Sequence, residues 1–341
     1  MDTGRPGELN LITDVAGLRV GNAEDRGALT GVTVVLPDEP AVAAADIRGG
    51  APGTRDIDAL DPSTLIEGVH GVVLSGGSVF GLEAASGVVQ WLAERGVGFA
   101  FGPQPLPSPV VPSAILFDIA NGGDKSWKVP PYRDLGIRAC EAAARQFALG
   151  NAGAGLGATA GVFKGGLGSA SLVWQGVTVG ALVAVNSFGS PADPLTGGLW
   201  AGPYAIADEY PLSTRSAAGF RAPAAWTKAD RLGGTAPGTN TTVAVVATDA
   251  VLTRPEAKRL AIMAADGMSR ALQPVHTPFD GDSVIALATG RVVLEGLRPL
   301  ALTALGTLAA DALARAIGRA IWEAETVPGW PAYRDDPGAA A

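Results

Sequence analysis

A threonine placed directly after an asparagine, where a loop turns into a strand, is the most chemically suggestive feature of this 341-residue chain. The stretch Gly234 to Ala250 reads GTAPGTNTTVAVVATDA. Thr235 to Asn240 is loop material, with Pro237, Gly238 and Asn240 close together. Thr241 to Thr248 is β-branched or small throughout, which suits a buried strand. Scission of the Asn240–Thr241 bond would place a hydroxyl and a free α-amine on one residue, and such an amine can act as base for its own hydroxyl. An α-amine titrates at about 7.7–8.0 in model compounds, so it is available as a base near neutral pH. The plainer alternative is that Thr241 only opens a strand.

Other residues could join that chemistry. Lys164 is the one charged residue between Arg145 and Asp193. It either snorkels to the surface or is held in a site that lowers its pKa. Asn186 ends the apolar run VAVN, where an amide can serve a turn or donate to an oxyanion. Asp280-Gly281-Asp282 reads as a turn whose carboxylates brace nearby backbone. Two carboxylates so close disfavour joint ionisation, so a nearby cation such as Lys164 would matter to both. Of the two histidines, His70 reads as structural, and His276 beside the aspartates is too sparse a set for a metal site. Cys140 reads as a small core residue. The run Gly155-x-Gly157-x-x-Ala160 imitates a dinucleotide fingerprint. It is rejected because no Asp or Glu lies between Glu141 and Asp193, and further glycines would spoil the helix.

These residues need elements to hold them. Strands are expected at Leu11 to Gly21, Gly31 to Leu36, His70 to Leu74, Val97 to Phe101, Ser113 to Phe117 and Ser283 to Ala288. Asp46 to Asp61 is expected as a loop. Helices are expected from Ser78, as N-cap, to about Arg95, then over Asp134 to Ala148, Arg254 to Leu272 and Pro299 to Ala324. VFKGGLGSASLVW turning into GVTVGALVAVN reads as a hairpin. Pro191 to Gly238 reads as an extended surface excursion, and the tail PGAAA as loose.

Composition bounds the function. With 47% hydrophobic residues, 6% aromatics and 47 glycines, the core is built from Ala, Val and Leu in closely packed layers. A net charge of −8 without a basic cluster argues against nucleic acid as a partner. The opening MDTGRPGELN lacks a signal-peptide pattern. No uninterrupted apolar run approaches the ~20 residues of a membrane span. A cytoplasmic protein without membrane association is expected, forming a single α/β domain over residues 1–341.

The segment GTNTTVAVVATDA, followed by LTRPEAKRLAIMAADGMSRALQPVHTPFDGDSVIALATG, resembles the self-processing aminopeptidases of the L-aminopeptidase/D-esterase and β-peptidyl aminopeptidase type. It resembles most the branch holding the nylon-oligomer (6-aminohexanoate) endo-hydrolases. GLRVGNAED, TGVTVVL, LSGGSVFGLEAASGV and NAGAGLGATAG extend the likeness over most of the chain. The resemblance implies a four-layer αββα sandwich, similar to Ntn hydrolases in architecture but differently connected. It implies self-cleavage at Asn240–Thr241, giving pieces 1–240 and 241–341, with Thr241 as nucleophile. It also implies Lys164 as the site lysine, Asn186 as the oxyanion asparagine, and Asp280 and Asp282 as paired aspartates. No metal or organic cofactor is implied. The implied substrate is a small peptide or oligoamide, and the implied assembly a homo-oligomer, often a tetramer. VVPSAILFDIA lacks the glutamate with which the aminopeptidases grip a substrate amine, so an endo-acting amidohydrolase is the alternative to an aminopeptidase. Rivals of other classes are an acyl transferase like the ornithine acetyltransferases and an unprocessed, inert scaffold.

Overall fold

A strand buried on both faces must serve two cores at once, because successive side chains point opposite ways. Strand β11 (Thr241–Ala250) is buried along its whole length. Val243, Val245 and Ala247 enter one apolar cluster, while Ala244, Val246 and Ala250 enter another. This alternation sets the layer order of the molecule. The computed structural model describes residues 4–100, 102–206, 208–211, 226–231 and 240–335. The predicted loop before Asn240, much of the Pro191 to Gly238 excursion and the PGAAA tail lie outside the described residues.

β11 is the middle strand of a five-stranded sheet ordered β3 (Val42–Ile47), β12 (Ser283–Val292), β11, β10 (Val177–Asn186) and β9 (Gly166–Trp174). The other five-stranded sheet runs β1 (Leu18–Asp25), β2 (Thr30–Pro37), β5 (Val72–Ser75), β6 (Ser113–Ile115) and β4 (Thr54–Arg55). A two-stranded ribbon, β7 (Thr159–Ala160) with β8 (Phe163–Lys164), lies apart. The sheets meet through Val20, Val35, Val72 and Leu74 on one side and Leu182, Val245 and Leu287 on the other. Helices α1 (Glu83–Ala93) and α2 (Tyr132–Glu141) cover the outer face of the β1 sheet. The opposite outer face carries α4 (Arg254–Ala264), α5 (Asp266–Ala271) and α6 (Arg298–Trp322). One more helical turn, α3 (Lys228–Arg231), lies in the excursion. The αββα layering expected for the chain is the one observed.

Helix α6 is long and apolar enough to cross a membrane, yet it is a core helix lying along β9 and β10. Its close approach depends on Gly168 of β9, where a Cβ would come within 1.9 Å of the Ala316 carbonyl. The β9–β10 hairpin turns through Gln175 and Gly176, both at positive φ (48° and 79°), the geometry of a two-residue I′ turn.

Several expected elements shift. The Leu11 to Gly21 strand is a 3-10 turn, Ile12–Asp14, followed by β1. Ser78 is no N-cap: it takes φ 52° after Gly77 and opens a 3-10 segment, Ser78–Leu82, before α1. Phe99 forms only an isolated bridge with Ser108. α2 stops at Glu141, and Ala144 then bridges back to Val20. The Arg254 to Leu272 helix is two helices, broken at Ala265. The Asp46 to Asp61 loop includes the end of β3 and the whole of β4. Arg48 and Gly49 donate backbone N–H groups to the Asp282 carbonyl, and Ala51 donates to that of Asp280.

Candidate active site

The ends of two central strands bring the candidate residues together. β10 and β11 are antiparallel, and their register sets Asn186 directly opposite Thr241. Directly opposed side chains share a face, with Cβ atoms about 4.5–5.5 Å apart. On the other flank, Asn240 bridges Asp280 in parallel register. Gly281 donates its N–H to the Asn240 carbonyl at 3.1 Å. The Thr241 hydroxyl donates to that same carbonyl oxygen. Gly281 must be glycine here, because a Cβ would fall 2.7 Å from Thr241 Oγ1 and 2.7 Å from the Ala51 carbonyl. A hydroxyl thus meets the carbonyl of the preceding residue while a backbone N–H polarises that carbonyl.

Asn186 is completely buried. Its Oδ1 accepts from the Thr159 N–H (2.9 Å), Asn121 Nδ2 (3.2 Å), Lys228 Nζ (3.3 Å) and the Thr159 hydroxyl (3.3 Å). Its Nδ2 donates to the Phe117 carbonyl at 3.0 Å. Two of the Oδ1 partners, a backbone N–H and an ammonium, cannot accept, so the amide can sit only one way round.

The two aspartates brace backbone, as their turn spacing suggests. Asp280 Oδ1 accepts from the Phe188 N–H (3.0 Å), and Oδ2 from the N–H (3.0 Å) and hydroxyl (2.5 Å) of Thr277. Burial, and then the charge of Asp282, push Asp280 up to about 6. Asp282 Oδ1 accepts from the Thr242 N–H (2.7 Å), and Oδ2 from the N–H (3.0 Å) of His276 with its Nδ1 at 2.8 Å. Among the described residues no group of three or more His, Cys, Asp or Glu is arranged to hold a metal ion.

Lys164 does not snorkel. It is 0% exposed, with Nζ donating to the carbonyls of Gly155 (2.8 Å) and Gly165 (2.7 Å). Burial lowers it to about 7 against the opposing charge of Asp118. Its link to the strand ends is indirect: Lys164 pairs with Thr159 across the ribbon, and Thr159 binds Asn186. The expectation that a nearby cation such as Lys164 would matter to both aspartates finds no direct contact among the described residues, the opposing charge at Lys164 being Asp118. The cation facing Asp280 is Lys228, also lowered to about 7 by burial. Lys228, Asn121 and Thr277 were not legible as site residues. Lys228 sits in the weakly patterned excursion, and with Asp230 and Arg231 close by in AAWTKADRL it reads as one of an ordinary surface charge cluster, so no sequence signal marked it.

Four buried side-chain atoms at this site find no partner among the described residues: both amide atoms of Asn240, Thr242 Oγ1 and His276 Nε2. His70 and Cys140 lie elsewhere. His70 is buried and accepts the Val110 N–H at 3.1 Å, and Cys140 lies on the buried face of α2.

The chain is similar to known proteins over nearly its full length. It is 44% identical to an uncharacterized aminopeptidase of Mycobacterium tuberculosis over 96% of this chain and 98% of that one. It is 31% identical to a 6-aminohexanoate-oligomer endohydrolase of a Kocuria species, over 90% of this chain and 84% of that one. The mycobacterial protein is thus nearer than the nylon-oligomer hydrolases to which the sequence motifs pointed first. In structure it is similar to the L-aminopeptidase D-Ala-esterase/amidase of Ochrobactrum anthropi, a variant of the Ntn hydrolase fold. The TM-score is 0.70 at 23% identity, with 96% of this chain and 91% of that one covered. Its two sheets flanked by helices are that fold, and with the profile of peptidase family S58 matching residues 10–333, the chain belongs to that family.

Proposed function

We propose that this protein is a self-processing N-terminal threonine hydrolase of amide or peptide bonds, acting as an aminopeptidase. The observation that carries this is the Thr241 hydroxyl on the Asn240 carbonyl, with the Gly281 N–H on the same oxygen. In the uncut chain, Thr241 Oγ attacks the Asn240 carbonyl carbon, and the Thr241 nitrogen leaves with the hydroxyl proton. Water then hydrolyses the ester, giving the Asn240 carboxylate and a free Thr241 amine. In the cut protein that amine takes the Oγ proton as Oγ attacks a substrate acyl group. The departing amine recovers the proton, and water frees the acyl-enzyme. Asn186 and the Gly281 N–H stabilise the oxyanion in both reactions. Lys164 and the two aspartates tune the Thr241 amine. The aminopeptidase assignment is supported by the family and by the mycobacterial relative's name.

A second substrate assignment, endo-cleavage of oligoamides, is favoured by one feature. The region around Ser113 offers Asp118, not a glutamate, and Asp118 is already engaged by the Gly77 N–H (2.7 Å) and the Thr30 hydroxyl (2.6 Å). Comparing amino-acid amides with N-capped oligoamides separates the two. Self-processing is tested by intact mass and N-terminal sequencing of fresh protein. A fragment starting at Thr241 is expected, and a single uncut mass after long incubation would overturn the proposal.

A further inference from the structure

Lys228 is a buried charge that the chemistry above leaves unused. It is 1% exposed, and no carboxylate among the described residues lies within ion-pair distance of it. Buried lysines are ordinarily paired or extend their heads to solvent. Here the ammonium ends at the Asn186 amide oxygen, 3.3 Å away, with its Nζ 6.0 Å from the centre of the Trp330 ring.

The backbone around Lys228 holds it in that place. Its N–H donates to the Phe188 carbonyl at 3.0 Å, two residues beyond Asn186. The Phe188 N–H in turn donates to Asp280. Asp230 accepts from the N–H (2.7 Å) and hydroxyl (3.0 Å) of Thr227, closing the turn that presents the lysine. Lys228 is therefore built into the connection between Asn186 and Asp280, which flank Thr241 and Asn240 on opposite sides.

An ammonium on Oδ1 has two effects on an asparagine. It fixes which way round the amide lies, and it draws electron density from the nitrogen, making its N–H groups stronger donors. We propose that Lys228 is a positioning residue for the Thr241 reaction, orienting and polarising Asn186 while supplying the positive charge that faces Asp280. This rests on Thr241 being the nucleophile. The titratable groups around Lys228 are Asp280, with Asp282 and His276 behind it, and Lys164 with Asp118 beyond Thr159. Because burial brings Lys228 to about 7, its charge fades as pH rises through the neutral range, although its N–H donors remain.

The test compares Lys228→Met, Lys228→Gln and Lys228→Arg with Asn186→Ala and wild type. Two readouts are taken, the rate of Asn240–Thr241 scission and steady-state turnover. K228M is expected to slow both scission and kcat about 10- to 100-fold with KM changed less than about threefold, somewhat below the loss of a direct oxyanion donor. K228R should recover most of kcat. Its scission rate relative to wild type should climb above pH 7, because a guanidinium stays charged. In the N186A background K228M should cost less than about twofold more, since both act through one amide. Should K228M not fold, K228Q carries the same comparisons, with a kcat loss of at least about fivefold expected from its missing charge. Scission and kcat within twofold of wild type in K228M or K228Q, or a full additional loss in the N186A background, would overturn the proposal. Failure of the nucleophile assignment looks different: wild type and Thr241→Ala would then behave alike.

Discussion

Two buried polar clusters in this molecule use charge in opposite ways. On the buried face of α6, Arg315 is 0% exposed and every arm of its fork is occupied. Glu209 accepts from Nε (3.0 Å) and Nη2 (2.5 Å), Asn10 from Nη2 (2.9 Å) and the Ser171 carbonyl from Nη1 (2.8 Å). Burial alone would raise Glu209, but the Arg315 guanidinium, with the Ile206 N–H and Asn10, outweighs it and holds Glu209 below the ordinary carboxylate range. At the strand ends, Lys164 and Lys228 are equally buried, meet only neutral oxygens, and fall to about 7. Asp280 moves the other way, up to about 6, and four side-chain atoms nearby have no partner among the described residues. A matched, saturated pair keeps its protons fixed and joins segments. An unmatched set leaves groups poised near neutrality, which is what proton transfer needs.

The sharpest break between the clusters is Thr241→Ala. One uncut chain with no turnover is expected, read by intact mass and amide hydrolysis, whereas Thr241→Ser should still cut. Asn186→Ala should slow turnover about 10²–10³-fold, the usual cost of an oxyanion donor, in a steady-state assay. Arg315→Met reverses the pattern. Scission and kcat should survive, while urea melts show a loss of about 3–5 kcal/mol, because Glu209 is left buried without its partner.

The smallest effect is in stability against pH, measured on the uncut Thr241→Ala chain so that one transition is observed. The folded pKa of each site lysine lies below its unfolded 10.5, so between about 7 and 10.5 the unfolded chain binds more protons. Stability should therefore rise from pH 7 to 8.5, by at most about 1.4 kcal/mol per pH unit for each lysine. Asp280 completes its change below this window, and Cys140, raised to about 12, opposes it only above the ordinary thiol value of 9.0. Lys164→Met should flatten the slope by about half. An unchanged slope would mean that Lys164 stays paired and charged like Arg315.

Much of this was legible in the chain, for local reasons. The β-branched run from Thr241 and the Gly-punctuated hairpin at Gln175 declare themselves, because strand burial and turn geometry depend on neighbours in sequence. The Asp280–Asp282 spacing announced backbone bracing for the same reason. The partnership of Lys228 with Asn186 spans 42 residues through a segment of weak pattern, and nothing local encodes it. β3 was hidden in the alanine-rich VAAADI, whose strand character comes from pairing with β12. Ser78 misled because Ser before a helix usually caps it, whereas here tertiary packing gives it a left-handed backbone.

The strand order β3-β12-β11-β10-β9 has a manufacturing consequence. Scission before Thr241 would leave β11 and β12 on one piece, sandwiched between β3 and β10 of the other. The cut would sever the chain without opening the sheet, so the two pieces stay interlocked like fingers of clasped hands. Synthesised separately, residues 241–341 would carry two bare strand edges, an invitation to misassembly. If the chain is cut there, the joined precursor would act as its own assembly jig, needed once to fold and dispensable afterwards.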